Sequence, residues 1–360
     1  MNKVLILTDG KAGHENQSKA FARALGCEFD LVEIHFKSAF HKALSYLLDH
    51  LGILSLKLLK DIGLSDRTMP NPSTPPTINP TNQPPNHQTN YAAVLGTGSG
   101  TFYAAKSLAR KLGVPCGVVL YPRGYRIAGF DCILAPSFDR PPPAPNVIPI
   151  PANLVAADAA FYEAGVKAFR ARYTPSDRPA VAVIVGGPNK CSTLSADWMR
   201  TQLEQIFAKY QPDQSPNPTI PQSHNHEIWV TTSRRTPPDV EAVVDSFPFD
   251  YKLLYSKDHF NPIPAFVSLA RALYVTAEST GMLSESCTFG AAEVHALDNL
   301  KPGPHKFRRF IEDLAAVGHL GGARKIDLSE QFARARKLLK INLSDRASER
   351  TRNERRSENH

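Results

Sequence analysis

The stretch VTAESTGMLSESCTFG at residues 275–290 joins a strand-like run to a helix-like run. Val275 and Thr276 end a run of apolar and β-branched residues, and residues 282–289 have the spacing of a short helix. In open α/β sheets, ligands bind outside the carboxyl ends of the strands, and a helix that begins there presents free N–H groups to an anion. The stretch therefore predicts an anion-binding turn in an α/β fold.

Outward from this stretch, the chain alternates β-branched runs with amphipathic runs, which is typical of parallel sheets covered on both faces. The predicted strands are 4–8, 91–95, 117–121, 132–134, 147–150, 181–185, 227–231, 251–254, 273–276 and 293–297. The predicted helices are 15–25, 40–60, 101–112, 196–210, 238–247, 264–272, 282–289 and 305–317. We expect two α/β domains, 1–155 and 178–342, joined by a linker helix within 156–177.

The composition suits two such domains, because the chain has 360 residues of which 42% are apolar. The five cysteines are scattered singly without a CxxC pair, so no zinc or dithiol site is predicted and a reducing, cytoplasmic setting is expected. The N-terminus does not resemble a signal peptide, and no run approaches the ~18 apolar residues that cross a bilayer. The leucine-rich segment 41–60 is interpreted as a helix packed on its own domain, or alternatively as a membrane-surface helix.

Three segments have no pattern that could bury a core. Residues 68–90 hold seven prolines and no Asp, Glu, Lys or Arg, residues 211–226 are a smaller version, and the tail 343–360 mixes charges of both signs. We expect two flexible loop inserts, the longer of them disordered, and a disordered tail.

A polar cluster follows the first strand in LTDGKAGHENQ, residues 7–17. Gly10 and Gly13 allow a tight turn, and Lys11 adds a cation beside it. Asp9 or His14 could act as a general base, since histidine titrates close to neutral pH. The structural alternative is that Asp9 caps the next helix and His14 is merely exposed.

The glycine-rich turn LGTGSGTFYAAK, residues 95–106, departs from a dinucleotide fingerprint because Thr101 stands where the third glycine belongs. A tight turn and a contact with phosphate or with an acceptor remain equally open for this loop, and NAD binding is less favoured than either. The residues assigned to it are Gly96, Thr97, Gly98 and Ser99.

The second domain begins with IVGGPNKCSTLS, residues 184–195, in which Gly186, Gly187 and Asn189 form a candidate anion cradle. The next predicted strand ends in WVTTSRRTP, residues 229–237, where Ser233 and Arg234 suit a diphosphate because the guanidinium fork matches phosphate oxygens. A solvated basic turn is the alternative.

In the opening stretch, Ser279, Thr280 and the first helical N–H groups are predicted to bind phosphate, with Glu278 beside them. Ser284 and Glu285 lie one turn inside the helix, where a carboxylate suits the hydroxyls of a ribose. Together these positions describe a nucleoside diphosphate. The alternative is that Glu278 caps the helix and Glu285 is a surface charge.

The segments TDGKAGHENQ, GGPNK, TTSRRTP and VTAESTGMLSES together resemble the bacterial "mitochondrial fission" proteins related to the plant elongated-mitochondria factor, which are widely regarded as glycosyltransferases. More distantly, the layout is similar to the enzyme that adds N-acetylglucosamine to the lipid-linked peptidoglycan precursor. Gly13-His14, Gly186-Gly187 and Ser284-Glu285 with Gly290 match that enzyme's motifs. Pro188 stands where its loop has serine.

The resemblance implies two Rossmann-like domains that face each other across a cleft, the architecture called GT-B. It implies a nucleotide sugar bound as co-substrate on the C-terminal domain, no tightly bound cofactor or metal, and a cell-envelope glycan or lipid as acceptor on the N-terminal domain. We also expect a peripheral contact with the inner-membrane surface and no nucleic-acid partner. A nucleoside-diphosphate-sugar epimerase and a non-catalytic interaction protein are the alternative functions.

Overall fold

The computed structural model describes residues 2–60, 91–210 and 226–342. The chain forms two compact units. The first comprises the described residues of Met1–Pro136, Arg140–Ile150 and Leu328–His360, and the second those of Ser137–Asp139 and Pro151–Asp327. The inserts predicted at 68–90 and 211–226, apart from His226, and the tail 343–360 lie outside the described residues.

The first unit, in its described part, contains a parallel sheet in the order β2-β1-β3-β4-β5-β6. Its strands are β1 Lys3–Thr8, β2 Glu28–Glu33, β3 Ala93–Thr97, β4 Cys116–Val119, β5 Cys132–Pro136 and β6 Val147–Ile150. Its helices α1 Ala12–Ala24, α2 Ala39–His50 and α3 Phe102–Leu112 follow β1, β2 and β3. Strands β3, β4 and β5 are buried at every residue, which explains their continuous apolar runs.

The second unit contains a parallel sheet in the order β11-β10-β7-β8-β9 among the described residues. Its strands are β7 Ala180–Val185, β8 Glu227–Thr232, β9 Tyr251–Leu253, β10 Ala272–Thr276 and β11 Glu293–Leu297. Its helices are α4 Ala159–Arg170, α5 Ala196–Tyr210, α6 Pro238–Ser246, α7 Ile263–Leu269, α8 Thr280–Thr288 and α9 Lys306–Ala316. The two α/β units with parallel sheets confirm the predicted fold class.

An aromatic cluster packs α4 and α7 onto the second sheet. The Phe169 ring lies 5.2 Å from Trp229 and 5.9 Å from Phe266, and all three side chains are almost fully buried. Burying a side chain of this size contributes about 2–3 kcal/mol. The linker helix predicted within 156–177 is therefore α4, which is part of the second unit rather than a free connection.

Three further elements differ from the sequence prediction. Helix α2 ends at His50 instead of continuing to Lys60, because Gly52 takes a left-handed φ of +74° and turns the chain. Strand β2 was not predicted, since it is a half-exposed edge strand of mixed polarity. A last helix, α10 Ser329–Leu338, was also not predicted, and it belongs to the first unit although the prediction placed residues up to 342 in the second.

Candidate functional site

The N-terminus of α8 lies at the carboxyl edge of the second sheet, directly after β10. The first N–H groups of a helix have no partner within it, so they need a capping side chain, water or a ligand. Ser279 occupies the capping position and is buried, yet its hydroxyl makes no capping hydrogen bond. This helix therefore presents uncapped N–H groups at the place where the sequence predicted an anion site.

Glu278 organises the turn in front of that helix. Its Oε1 accepts a hydrogen bond from the Gly187 N–H (2.8 Å) and one from the Thr276 hydroxyl (3.1 Å). Its Oε2 accepts from the Asn299 amide (2.7 Å), and the carboxylate is buried. Both oxygens are thus engaged within the protein, so Glu278 positions the neighbouring glycine turn. Asn299 was not predicted, because it follows the edge strand β11 without any glycine-rich signal.

Other atoms lie so close to the backbone at positions 186 and 187 that only glycine fits there. A Cβ on Gly186 would lie 2.1 Å from Oε1 of Glu278, and a Cβ on Gly187 would lie 2.3 Å from the carbonyl oxygen of Arg235. The Thr236 hydroxyl donates to the Gly186 carbonyl at 2.6 Å. Because β10, β7 and β8 are neighbours in the sheet, the turns that follow them meet at one edge.

Two predicted donor-binding residues are committed to their own loops. The Asn189 side-chain oxygen accepts from the Cys191 N–H (2.7 Å), which shapes the turn after Gly187. The Ser233 hydroxyl contacts Thr236 at 3.2 Å. Arg234 is exposed and lines a cavity of about 330 Å³ together with Glu241, Tyr255 and Lys257. Arg235 is exposed as well, so this loop presents two accessible arginines.

Thr280 and Ser284 hold the segment that precedes α4. Asn153 donates from its backbone to the Ser284 hydroxyl (3.1 Å) and from its side chain to the Thr280 hydroxyl (3.2 Å). The Ser284 hydroxyl donates in turn to the Thr280 carbonyl (2.5 Å). The Ser284 hydroxyl thus donates to one protein group and accepts from another. Asn153 was not found from the sequence, since nothing local distinguishes it.

Glu285 lies one turn into α8 and is half-buried. The Tyr162 hydroxyl donates to its Oε1 at 3.1 Å, and the Tyr162 ring packs on Phe289 at 4.4 Å. Burial raises the pKa of Glu285, and the hydrogen bond from Tyr162 lowers it only in part. The carboxyl is therefore a desolvated group with one protein donor, and Tyr162 is a partner that the sequence did not indicate.

In the first unit, the turn between β1 and α1 brings three predicted residues together. Oδ2 of Asp9 lies 2.8 Å from Nζ of Lys11, and Oδ1 of Asp9 lies 3.0 Å from Nδ1 of His14. Burial raises the pKa of Asp9, but the hydrogen bonds and charges of Lys11 and His14 outweigh burial and hold the pKa below its ordinary value. Helix α1 begins at Ala12 rather than at 15, so His14 lies in its first turn.

The glycine-rich turn after β3 closes over this cluster. A Cβ on Gly98 would lie 2.3 Å from the His14 ring, and a Cβ on Gly100 would lie 2.7 Å from Asp9. Gly98 also has a φ of +83°, which favours glycine. The two glycine-containing stretches that the sequence singled out in this half are therefore one site.

The remaining predicted residues of this loop pair have structural contacts. The Thr97 and Ser18 hydroxyls are 2.6 Å apart, and the Ser99 hydroxyl accepts from Lys42 at 3.2 Å. A Cβ on Gly96 would meet the Thr101 hydroxyl at 2.7 Å, and Gly10 has a φ of +75°. Gly13 lies inside α1 without a left-handed φ, and a Cβ there would meet no atom within 4 Å, so the structure shows no need for glycine at this position.

Across residues 2–60, 91–210 and 226–342, no cluster of three or more His, Cys, Asp or Glu side chains is placed to hold a metal ion. In the same ranges, no helix has both the length and the apolar character that crossing a bilayer requires.

Comparisons with known proteins give one family. The family model described as "Mitochondrial fission ELM1" matches residues 12–349. The search among curated proteins found no match.

The chain is distantly similar to several solved structures. One is a UDP-GlcNAc 2-epimerase from Neisseria meningitidis bound to UDP-GlcNAc. It is 12% identical, the match covers 95% of this chain and 100% of that chain, and the TM-score is 0.47. MurG from Acinetobacter baumannii has 15% identity, 94% and 92% coverage and a TM-score of 0.40. The E. coli ADP-heptose LPS heptosyltransferase II has 9% identity, 88% and 98% coverage and a TM-score of 0.39. Similarity at this level assigns no activity.

Proposed function

The chain belongs to the mitochondrial fission ELM1 family, and from that premise we propose that it is a GT-B-type glycosyltransferase that uses a nucleotide-activated sugar. The observation that carries the proposal is the uncapped N-terminus of α8 beside the glycine turn that Glu278 holds. A helix N-terminus and free backbone N–H groups form an anion site, which a diphosphate would fill.

The donor diphosphate would bind to the first N–H groups of α8, to the hydroxyls of Ser279 and Thr280, and to the exposed Arg234. These groups would stabilise the leaving diphosphate as charge develops, which is the role that a metal or cofactor has elsewhere. Glu285 would accept hydrogen bonds from the ribose hydroxyls. Gly186, Gly187 and Glu278 would position the site without transferring charge or protons.

The acceptor would bind on the first unit, where His14 would deprotonate its hydroxyl. Nδ1 of His14 lies 3.0 Å from the carboxylate of Asp9, so Asp9 would orient the ring. The turn with Gly98 and Ser99 would form the wall of that site. We propose a cell-envelope glycan or lipid as the acceptor and a cytoplasmic, membrane-peripheral location.

The test is thermal unfolding with a panel of nucleoside diphosphates and nucleotide sugars, with NAD alongside. A ligand at about 100 times its Kd adds about 2.7 kcal/mol, which shifts the Tm by several degrees. We expect a shift with one nucleoside diphosphate and none with NAD. Incubation with the matching nucleotide sugar alone, followed by product analysis, separates transfer or hydrolysis from epimerisation.

A matched pair of serine variants locates the site. Ser279→Ala should leave the stability of the free protein unchanged, because this hydroxyl does not cap α8, and should reduce the ligand-induced shift. Ser38→Ala removes the side chain that caps α2, so it should cost about 1 kcal/mol of stability and leave the ligand shift intact. If no nucleotide shifts the Tm of the unmodified protein, a non-catalytic binding role is favoured instead.

A further inference from the structure

Helix α2 exposes large apolar side chains along one face. Phe40, Leu47 and Leu51 are 69%, 57% and 63% exposed, and Ile53, just beyond the helix, is 49% exposed. Phe40, Leu47 and Leu51 are spaced by seven and four residues, so they lie on one side of the helix. A contiguous apolar strip of this kind on a water-exposed helix marks an interaction surface.

The opposite side of α2 is buried although it is polar. Asp49 accepts from the Lys106 ammonium at 2.7 Å through Oδ1 and from the Arg126 N–H at 2.7 Å through Oδ2. The Ser45 hydroxyl lies 2.9 Å from that of Tyr125. Asp49 and Lys106 are 3% and 2% exposed in their side chains, and separating a buried pair costs several kcal/mol. This ion pair fixes the rotation of the helix and keeps the apolar strip outward.

The segment that carries the strip has a net positive charge. Residues 37–60 contain four lysines and a single acidic residue, the buried Asp49. Lys37, Lys57 and Lys60 are exposed. The backbone of Lys37 bonds to Leu58 and that of Lys60 bonds to His35, which brings the segments before and after α2 side by side. An apolar strip with flanking lysines and no exposed acid on the same segment has the charge pattern that an anionic lipid surface complements.

We propose that the α2 face, defined as Phe40, Leu47, Leu51 and Ile53 with Lys37, Lys57 and Lys60, docks the protein on an anionic bilayer surface. The apolar side chains enter the boundary between headgroups and acyl chains, and the lysines meet lipid phosphates. A weak hydrophobic contact and a weak electrostatic one then act together, and such a pair of signals binds a membrane more firmly than either alone. The inference rests on the membrane-peripheral location proposed above and names the surface that would make the contact, and it does not depend on the glycosyltransferase activity.

The experiment is co-sedimentation of the full chain with vesicles of phosphatidylcholine alone and of phosphatidylcholine with phosphatidylglycerol, without nucleotide. We expect binding to the anionic vesicles that weakens with added salt. The triple variant Phe40→Ser, Leu47→Ser, Leu51→Ser should bind at least tenfold more weakly, since it removes the apolar contact. Lys37→Gln and Lys57→Gln should each weaken binding about fivefold.

The chain offers matched controls. Leu112 and Val317 are 43% and 45% exposed outside the α2 face, so Leu112→Ser and Val317→Ser should bind vesicles as the unmodified protein does. The substituted side chains are exposed, so the triple variant should keep its melting temperature and any nucleotide-induced shift. Those two readouts separate failure of membrane docking from failure of the catalytic proposal.

Three results would overturn the inference. They are no binding of the unmodified protein to anionic vesicles, equal binding to both vesicle types, and unchanged binding of the triple variant. Concentration-dependent dimerisation that the triple variant abolishes, without vesicle binding, would assign the face to a second copy of the chain instead.

Discussion

The two units each place a carboxylate against a glycine turn, and they use it differently. In the second unit, Glu278 precedes α8, and the turn that follows β7 lies against this carboxylate. In the first unit, Asp9 precedes α1, and the turn that follows β3 lies against Asp9 and His14. In both cases the carboxylate follows one strand and the glycines follow its neighbour in the sheet.

The difference lies in the hydrogen-bond partners. Glu278 accepts from a backbone N–H, a hydroxyl and an amide, all of them neutral and buried, so both of its oxygens are engaged within the protein. Asp9 is bonded to Lys11 and His14, whose side chains are 65% and 25% exposed. The same turn geometry thus holds a carboxylate with neutral, buried partners in one unit and a carboxylate with two ionisable, accessible partners in the other.

The largest expected effect is on the catalytic rate, when His14 is replaced. His14→Gln should lower the rate of sugar transfer or donor hydrolysis about 10²- to 10⁴-fold, because it removes the proposed general base. The unfolding free energy should change by less than about 1 kcal/mol. The measurement is turnover of the nucleotide sugar identified by thermal shift.

His35 provides the control for that variant, since it also contacts a carboxylate, Glu33, at 3.1 Å in the same unit. His35→Gln should retain full activity. Equal activity of both variants would remove His14 from the chemistry and reduce the Asp9 pair to a helix-start contact.

The next largest effect is on stability in the second unit. Gly187→Ala should lower the unfolding free energy by about 3 kcal/mol, because the new Cβ would lie 2.3 Å from the backbone oxygen of Arg235 and something must shift. Denaturant unfolding measures it. Gly281→Ala in α8 has no atom within 4 Å of the added Cβ and should stabilise by up to about 1 kcal/mol.

Replacing each of the two carboxylates in turn tests the difference between them. Glu278→Leu leaves the Gly187 N–H and the Asn299 amide buried without their acceptor, and should cost about 2 kcal/mol. Asp9→Asn should cost less than about 1 kcal/mol, since its partners reach water. Comparable losses in the two variants, measured by urea unfolding, would contradict the division into a structural and a chemical carboxylate.

The smallest effect is a pH dependence of opposite sign at two carboxyls. The pKa of Asp9 is lowered from 3.8, so its contribution to stability is present above that pH and is lost as pH falls through the folded pKa. The pKa of Glu285 is raised from 4.5, so its contribution is largest below pH 4.5 and is lost as pH rises through the folded pKa.

Thermal unfolding of Glu285→Gln across this range should therefore show a smaller loss of stability with rising pH than the unmodified protein. Glu163→Gln, at an exposed position on α4, is the control and should follow the unmodified curve. A Glu285→Gln curve parallel to that of the unmodified protein would show that burial does not penalise this carboxylate.

The fold was predictable from the sequence because its signal is local. Strands such as β7, with the sequence AVAVIV, and β10, with ALYVT, are buried at every residue, so an apolar run is sufficient to identify them. The Gly186-Gly187 pair likewise indicated a turn from residues that are adjacent in the sequence. The sequence missed β2, whose residues are mostly half-exposed, and α10, whose membership of the first unit depends on contacts with residues far away in the chain.

By itself, then, the sequence determined the two parallel α/β units, the turns at their strand ends and the family. Only the tertiary structure decided which carboxylate is saturated, because the Glu278 partners Gly187 and Asn299 come from distant segments. It also decided the rotation of α2, since Asp49 faces inward only where Lys106 meets it. The physical reason is that propensity and periodicity act between neighbours in sequence, whereas the burial of a charge depends on a partner that folding alone supplies.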